Sequence, residues 1–141
     1  MSNFGGLSLL LDEHLYLIED QLPVIVWENT SYIAEEDEPY IKPFVQPAES
    51  QNVFLGSDVP TYEHGNYQIN IIGVRYTGRD DVYVWVDKIV PHFSKGTVLT
   101  NSGVDIFVRI RKAFPRPAFY NSNGRFVVPV DIRYLCFMPA T

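Results

Sequence analysis

Few side chains in this chain could do covalent or proton-transfer chemistry. It has a single cysteine, Cys136, three histidines, His14, His64 and His92, and two runs of acids, Glu35-Glu36-Asp37-Glu38 and Asp80-Asp81. A reactive thiol needs an electropositive setting. Cys136 lies in an alternating apolar run with no histidine beside it, and it reads as a buried structural thiol. Metal sites usually show a close ligand pair. The histidines are far apart along the chain, and Glu63-His64 would point to opposite faces of a strand. A general acid and base must be held apart across a cleft. Both acid runs are local instead. The first reads as a solvated loop that attracts a basic partner, the second as a helix start facing the positive end of the dipole. Asn29-Thr30-Ser31 matches a glycosylation sequon, which carries no weight without a secretory leader. No dinucleotide fingerprint, P-loop or nucleophile elbow occurs. The expectation is a protein with no catalytic, metal-binding or cofactor-binding residues, and not an enzyme.

Surface chemistry is more informative. The formal net charge is −6, but residues 1–63 carry twelve acids and one base, Lys42, while residues 64–141 carry five acids and ten bases. The cations concentrate at Arg109, Arg111, Lys112, Arg116 and Arg125, with 109 and 111 expected on one strand face. One reading is an edge protected by charge; the other is an electrostatic interface for an acidic protein surface or nucleic acid. Phe107, Phe114, Phe119 and Tyr120 lie close enough for base stacking, although strand alternation assigns most of them to packing. The acidic total argues against wholesale binding to phosphate. Val53-Phe54-Leu55, three apolar residues inside a polar stretch, either caps the core or meets another protein. The candidate interface residues are therefore Val53, Phe54, Leu55, Arg109, Arg111, Lys112, Arg116, Glu35, Glu36 and Asp37.

The elements that must position these groups fit one domain over residues 1–141. A chain of 141 residues with 46% hydrophobic and 20% charged content can build a core. No apolar run suffices to cross a bilayer. The first twenty residues lack the basic start of a secretory leader, and assembly in the cytoplasm is expected. Leu7, Leu10, Leu11, His14, Leu15, Ile18 and Leu22 form a helical stripe ending at Pro23, with a loose start at Gly5-Gly6 and Ser8 as a cap. Val24–Trp27 reads as a buried strand, and Tyr40–Val45 as an edge or bulged strand because of Pro43. Residues 46–62 read as a long loop. From Gly65, Tyr67, Ile69 and Ile71 alternate with Gln68 and Asn70, and Gly73 suggests a bulge. Thr77–Asp80 resembles a capping box. It opens a second helix whose apolar face runs through Val82, Trp85 or Val86, Ile89 and Phe93, with Pro91 and Gly96 at its end. Val104–Arg111 and Arg125–Phe137 alternate as strands, Asn123-Gly124 signals a two-residue hairpin, and Pro129 suggests an edge or bulge. The expected fold class is α+β: two helices packed on a mainly antiparallel mixed sheet, with one long loop or hairpin extension.

Taken together, these segments resemble the tail terminator-like proteins of phages with long non-contractile tails. The resemblance runs from about Leu7 to Tyr134. It rests on the proline-ended helix leading into Trp27-Glu28-Asn29, on Tyr40, on Leu55-Gly56, and on Gly65-Asn66-Tyr67-Gln68-Ile69. It continues through a helix closing in His92-Phe93 before Gly96, and a strand reading Val128-Pro129-Val130-Asp131-Ile132-Arg133-Tyr134. The second helix departs from the family's alanine- and leucine-rich pattern. Such a resemblance implies a structural virion protein that forms a ring, usually a hexamer, on the end of the tail tube. It would stop tube polymerisation and provide the docking surface for the neck and head, at the head-proximal end of the tail. The implied partners are further copies of itself, the tail-tube protein and a neck or head-completion protein. DNA would pass through the lumen without specific binding, and no membrane or cofactor is implied. Trp27, Gly65 and Pro129 look structural, so the resemblance assigns no interface residue. The alternatives are another head–tail connector, and a small ligand-binding α+β domain.

Overall fold

The computed structural model describes residues 4–28, 30, 38–51, 61–75, 79–103 and 106–138. Helix α1 spans Phe4–Tyr16 and helix α2 Asp80–His92. The strands are β1 (Val24–Ile25), β2 (Tyr40–Gln51), β3 (Thr61–Ile72), β4 (Val98–Leu99), β5 (Phe107–Pro115), β6 (Phe119–Tyr120) and β7 (Phe126–Met138). They form one sheet in the order β1-β2-β3-β7-β5-β4, with β6 also paired to β7. Among the described residues only β1 and β2 pair in parallel; the other pairings are antiparallel. This is the expected α+β domain.

Side-chain alternation builds the core. Ile41, Ile71 and Val128 stand in one cross-strand row, and Val45, Tyr67 and Ile132 in another. Leu7, Leu10, Leu11 and Leu15 of α1 and Val82, Val86 and Ile89 of α2 join this cluster, with Phe93 just beyond α2. Both helices therefore cover the same face of the sheet. The other face, presenting Lys42, Gln68, Asn70, Arg109 and Arg133, carries no helix among the described residues.

Several elements differ from expectation for identifiable reasons. Helix α1 begins at Phe4, through the glycines, and ends at Tyr16; a 3-10 turn at Glu19–Gln21 carries the chain to Pro23. Strand β1 is a two-residue parallel edge whose Val24 is exposed, not a buried strand. Strand pairing enters the expected 46–62 loop from both ends, with Gln46 opposite Asn66 and Gln51 opposite Tyr62; residues 52–60 lie outside the described residues. Gly73 is not a bulge, since β3 and β7 pair without a shift from Thr61 to Ile72. It is small because a Cβ there would stand 2.7 Å from Val82 Cγ2 of α2. No side chain caps α2, whose N-cap is Arg79; Thr77 is outside the described residues.

Two prolines in long strands have positional reasons. Pro129 sits in a central strand, yet its outward backbone faces the gap between β5 and β6. Its carbonyl accepts from Arg116 N–H at 2.8 Å, and no amide is needed there. On the outer edge of β2, the Ile41 carbonyl accepts from Val26 and Val45 N–H donates to Glu28 Oε1 at 3.1 Å. Pro43 and Pro47 occupy the alternating outward positions and bring no donor. Absent or occupied amides blunt that edge against strand addition.

The Asn123-Gly124 turn is a three-residue loop, not a two-residue hairpin. Asn121 N–H donates to the Arg125 carbonyl, Asn121 Oδ1 accepts from Asn123 and Arg125, and Gly124 takes φ +73°. Arg125 is buried. Its Nε donates to the Gly73 carbonyl at 2.9 Å, its Nη2 donates to the Glu38 carbonyl, and its guanidinium lies over Tyr40. It ties three chain segments together and does not belong to the surface patch expected for it.

Candidate functional site

The sheet face away from the helices collects four of the ten cations in the second half of the chain, Arg109, Lys112, Arg116 and Arg133. Register decides which ones. Arg109 pairs with Leu135 and Lys112 with Arg133, so Arg109, Lys112 and Arg133 share this face. A bulge between Ile110 and Lys112 breaks the expected alternation. Arg111 is displaced into it, and Arg111 and the neighbouring Lys112 border a cleft with Pro91, Phe93 and Lys95 at the end of α2. The register thus puts Lys112, not Arg111, opposite Arg133.

Aromatic rings interleave with these charges. Phe114 lies under Lys112 Nζ at 4.8 Å and under the Arg133 guanidinium at 5.1 Å. Phe107 and Phe137 stack at 4.8 Å, with Arg109 6.0 Å from the Phe137 ring. Among the described residues, no carboxylate pairs with Arg109, Lys112 or Arg133. Arg116 reaches Asp131 at 3.5 Å, where the carboxylate is buried and the guanidinium half-exposed. Asp131 Oδ1 and Asn66 Oδ1, both on this face, are buried acceptors without a partner among the described residues. Amide pairs line the remainder: Asn66 donates to Gln46 at 2.9 Å and Gln68 to Asn70 at 2.8 Å.

The helical side has the opposite character. Leu9 and Tyr16 stand out from α1 and Leu17 from the turn that follows it, Leu17 at 71% exposure. With Asp12, Glu13 and Trp27 they line an open cleft of about 370 Å³. Glu19 and Asp20 follow directly and are exposed. Asp12 leans inward and accepts from Tyr67 Oη at 2.5 Å. Burial raises the Asp12 carboxyl above its ordinary value, against the lowering effect of that hydroxyl. Burial likewise holds the Tyr67 phenol well above its ordinary range, reinforced by the Asp12 charge and hydrogen bond. This pair anchors α1 to the middle of β3.

A second anchor joins the ends of the helices. His14 and His92, 78 residues apart, stack with centroids 3.9 Å apart and planes 8° from parallel. Each ring Nε2 reaches the other's backbone carbonyl, at 2.7 Å and 2.5 Å, supplying a partner to a C-terminal helix carbonyl. Burial lowers the His14 imidazole from its ordinary value. Sequence spacing hid this pair. The available signal was that both histidines close apolar helical stripes, His14 on the first and His92 before Phe93. Among the described residues no group of three or more His, Cys, Asp or Glu is placed to hold a metal. Cys136 is fully buried in the core.

Of the predicted interface residues, Arg109, Lys112 and Arg116 come together on the sheet face and Arg111 lies beside α2. Val53, Phe54, Leu55, Glu35, Glu36 and Asp37 are outside the described residues. Arg133, read on the outward face of its strand, and Phe114, read among the nearby aromatics, were left out of the candidate set for want of the register that places both beside Lys112.

Comparison with known proteins matches this arrangement to one family. No curated protein matches the sequence. A solved chain superposes with TM-score 0.63 at 17% identity, over 89% of this chain and 94% of that one, which supports the fold. The family model described as phage tail terminator protein matches residues 7–134. The chain thus belongs to the phage tail terminator family, as a structural component of the phage tail and the virion.

Proposed function

We propose that the protein caps the head-proximal end of the tail tube as a ring, ending tube polymerisation and presenting the surface on which the neck and head dock. The observation that carries this reading is the family match over residues 7–134, which takes in α2, every strand from β1 to β6 and most of α1 and β7. The geometry supports it. An α+β domain carries a cation–aromatic sheet face and an acidic, apolar helical side, which suits association among protein surfaces. The partners proposed are further copies of this chain, the tail-tube protein and a neck protein, with DNA passing through the lumen.

Electron microscopy of tails assembled without this protein tests the reading. Overlong tubes of scattered length are expected, and adding the purified protein should restore a uniform length. Tubes of normal length that merely lack heads would instead assign the protein to head joining.

A further inference from the structure

We infer that the helix-free sheet face of one copy docks onto the outer side of α1 of the next, making a head-to-tail contact between these two surfaces. The inference rests on the ring reading and names the surfaces that would build the ring. Each surface has what the other lacks. The sheet face offers Arg109, Lys112 and Arg133, unpaired with carboxylates among the described residues and laid over phenyl rings. The helical side offers exposed Leu9, Tyr16 and Leu17 rimmed by Glu13, Glu19 and Asp20.

Charge alone would not single out these patches, because exposed ion pairs are worth little. The combination does. Phe114 lies beneath two cations, so an apolar group packing there also brings acids toward Lys112 and Arg133 as water leaves. Leu17 is the most exposed leucine among the described residues, and three large apolar side chains on α1 and the turn that follows it form a patch that a soluble surface rarely leaves open. The two patches lie on opposite layers of the molecule, since α1 packs against the core face of the sheet. A contact between them is heterologous, and each added copy presents a fresh patch for the next. That is the condition for a closed ring, or for a filament if the rotation does not close.

Native mass spectrometry of wild type and two exposed-surface variants tests the inference. The sheet variant is Lys112→Glu with Arg133→Glu; the helix variant is Leu17→Asp with Asp20→Lys. Wild type should form closed oligomers, while each variant alone should assemble at least tenfold more weakly. An equimolar mixture should give one-to-one heterodimers and nothing larger, because a sheet variant retains its helical patch and a helix variant its sheet patch. Formation of that heterodimer also shows that both variants are folded. Variants that assemble like wild type, or a mixture without heterodimer, would overturn the docking and leave the ring intact. A wild type that stays monomeric at every concentration would overturn the ring reading and the docking with it. A sheet variant that assembles normally but loses retention of duplex DNA would reassign the face to nucleic acid.

Discussion

His14, in the stacked pair, makes stability depend on pH in a direction that follows from its burial. Folded His14 resists protonation, while the unfolded chain takes up a proton near the ordinary histidine value of about 6.5. This contribution is complete above that pH and is lost as pH falls below it toward the lowered folded value. The melting temperature should therefore drop between about pH 7.5 and about pH 5.5. His14→Gln keeps a donor for the His92 carbonyl but cannot titrate, so it should flatten the profile. An unchanged slope in calorimetry would place the effect elsewhere. Asp12 has the opposite sign, its raised value withdrawing stability as pH climbs above the ordinary carboxyl range. Single residues were legible in the sequence where local pattern decided the environment. Cys136 sits between apolar neighbours at strand period and is buried as expected. The histidine pair was not legible, because nothing local links residues 78 positions apart.

Among the elements, α2 docks on the sheet so closely that one hydrogen at Gly73 decides the fit. Gly73→Ala would bring Cβ within 2.7 Å of Val82 Cγ2 and should cost about 1–3 kcal/mol. Combining it with Val82→Ala removes the clashing methyl, and a double-mutant cycle by urea unfolding should show coupling of at least about 0.5 kcal/mol. Strict additivity would mean that the strain is relieved elsewhere. Helix α2 was legible because its apolar face, Val82, Val86, Ile89 and Phe93, outweighs the strand composition of its first turns. Helix α1 was read too long because Ile18 and Leu22 continue the periodicity while the backbone tightens into a 3-10 turn before Pro23. The β5 bulge was invisible because Arg111 and Lys112 are both compatible with an exposed position, and only the pairing to β7 separates them. The sheet's general character was legible from alternation alone, as in Tyr67, Ile69 and Ile71. The strand through Pro129 was legible in extent but not its central place in the sheet, and the pairing that runs through Pro47 was not legible, since each proline is tolerated only by what does or does not lie beside it.

At the scale of the molecule, charge separates by layer as well as by position in the chain. Contacts among copies that join an acidic side to a basic face should weaken with salt, since the screening length shrinks from about 10 Å at 0.1 M to about 3 Å at 1 M. Light scattering across that range should show wild-type oligomers dissociating toward monomer; salt-insensitive oligomers would mean that apolar packing dominates. The sequence foreshadowed this polarity in the contrast between residues 1–63 and 64–141, but not its layout, because topology places β7 between β3 and β5 and brings Arg133 beside Lys112.

The outer margin of β2 has its own consequence. With Pro43 and Pro47 lacking amides, and Val45 N–H held by Glu28, a neighbouring chain finds too few donors there to lengthen the sheet across a subunit boundary. Main-chain pairing is common to every protein and discriminates poorly between partners. Adhesion along this margin must instead be written in side chains, which one substitution can revise. A domain with such a margin is thereby shielded from the strand margins of unrelated proteins crowded around it.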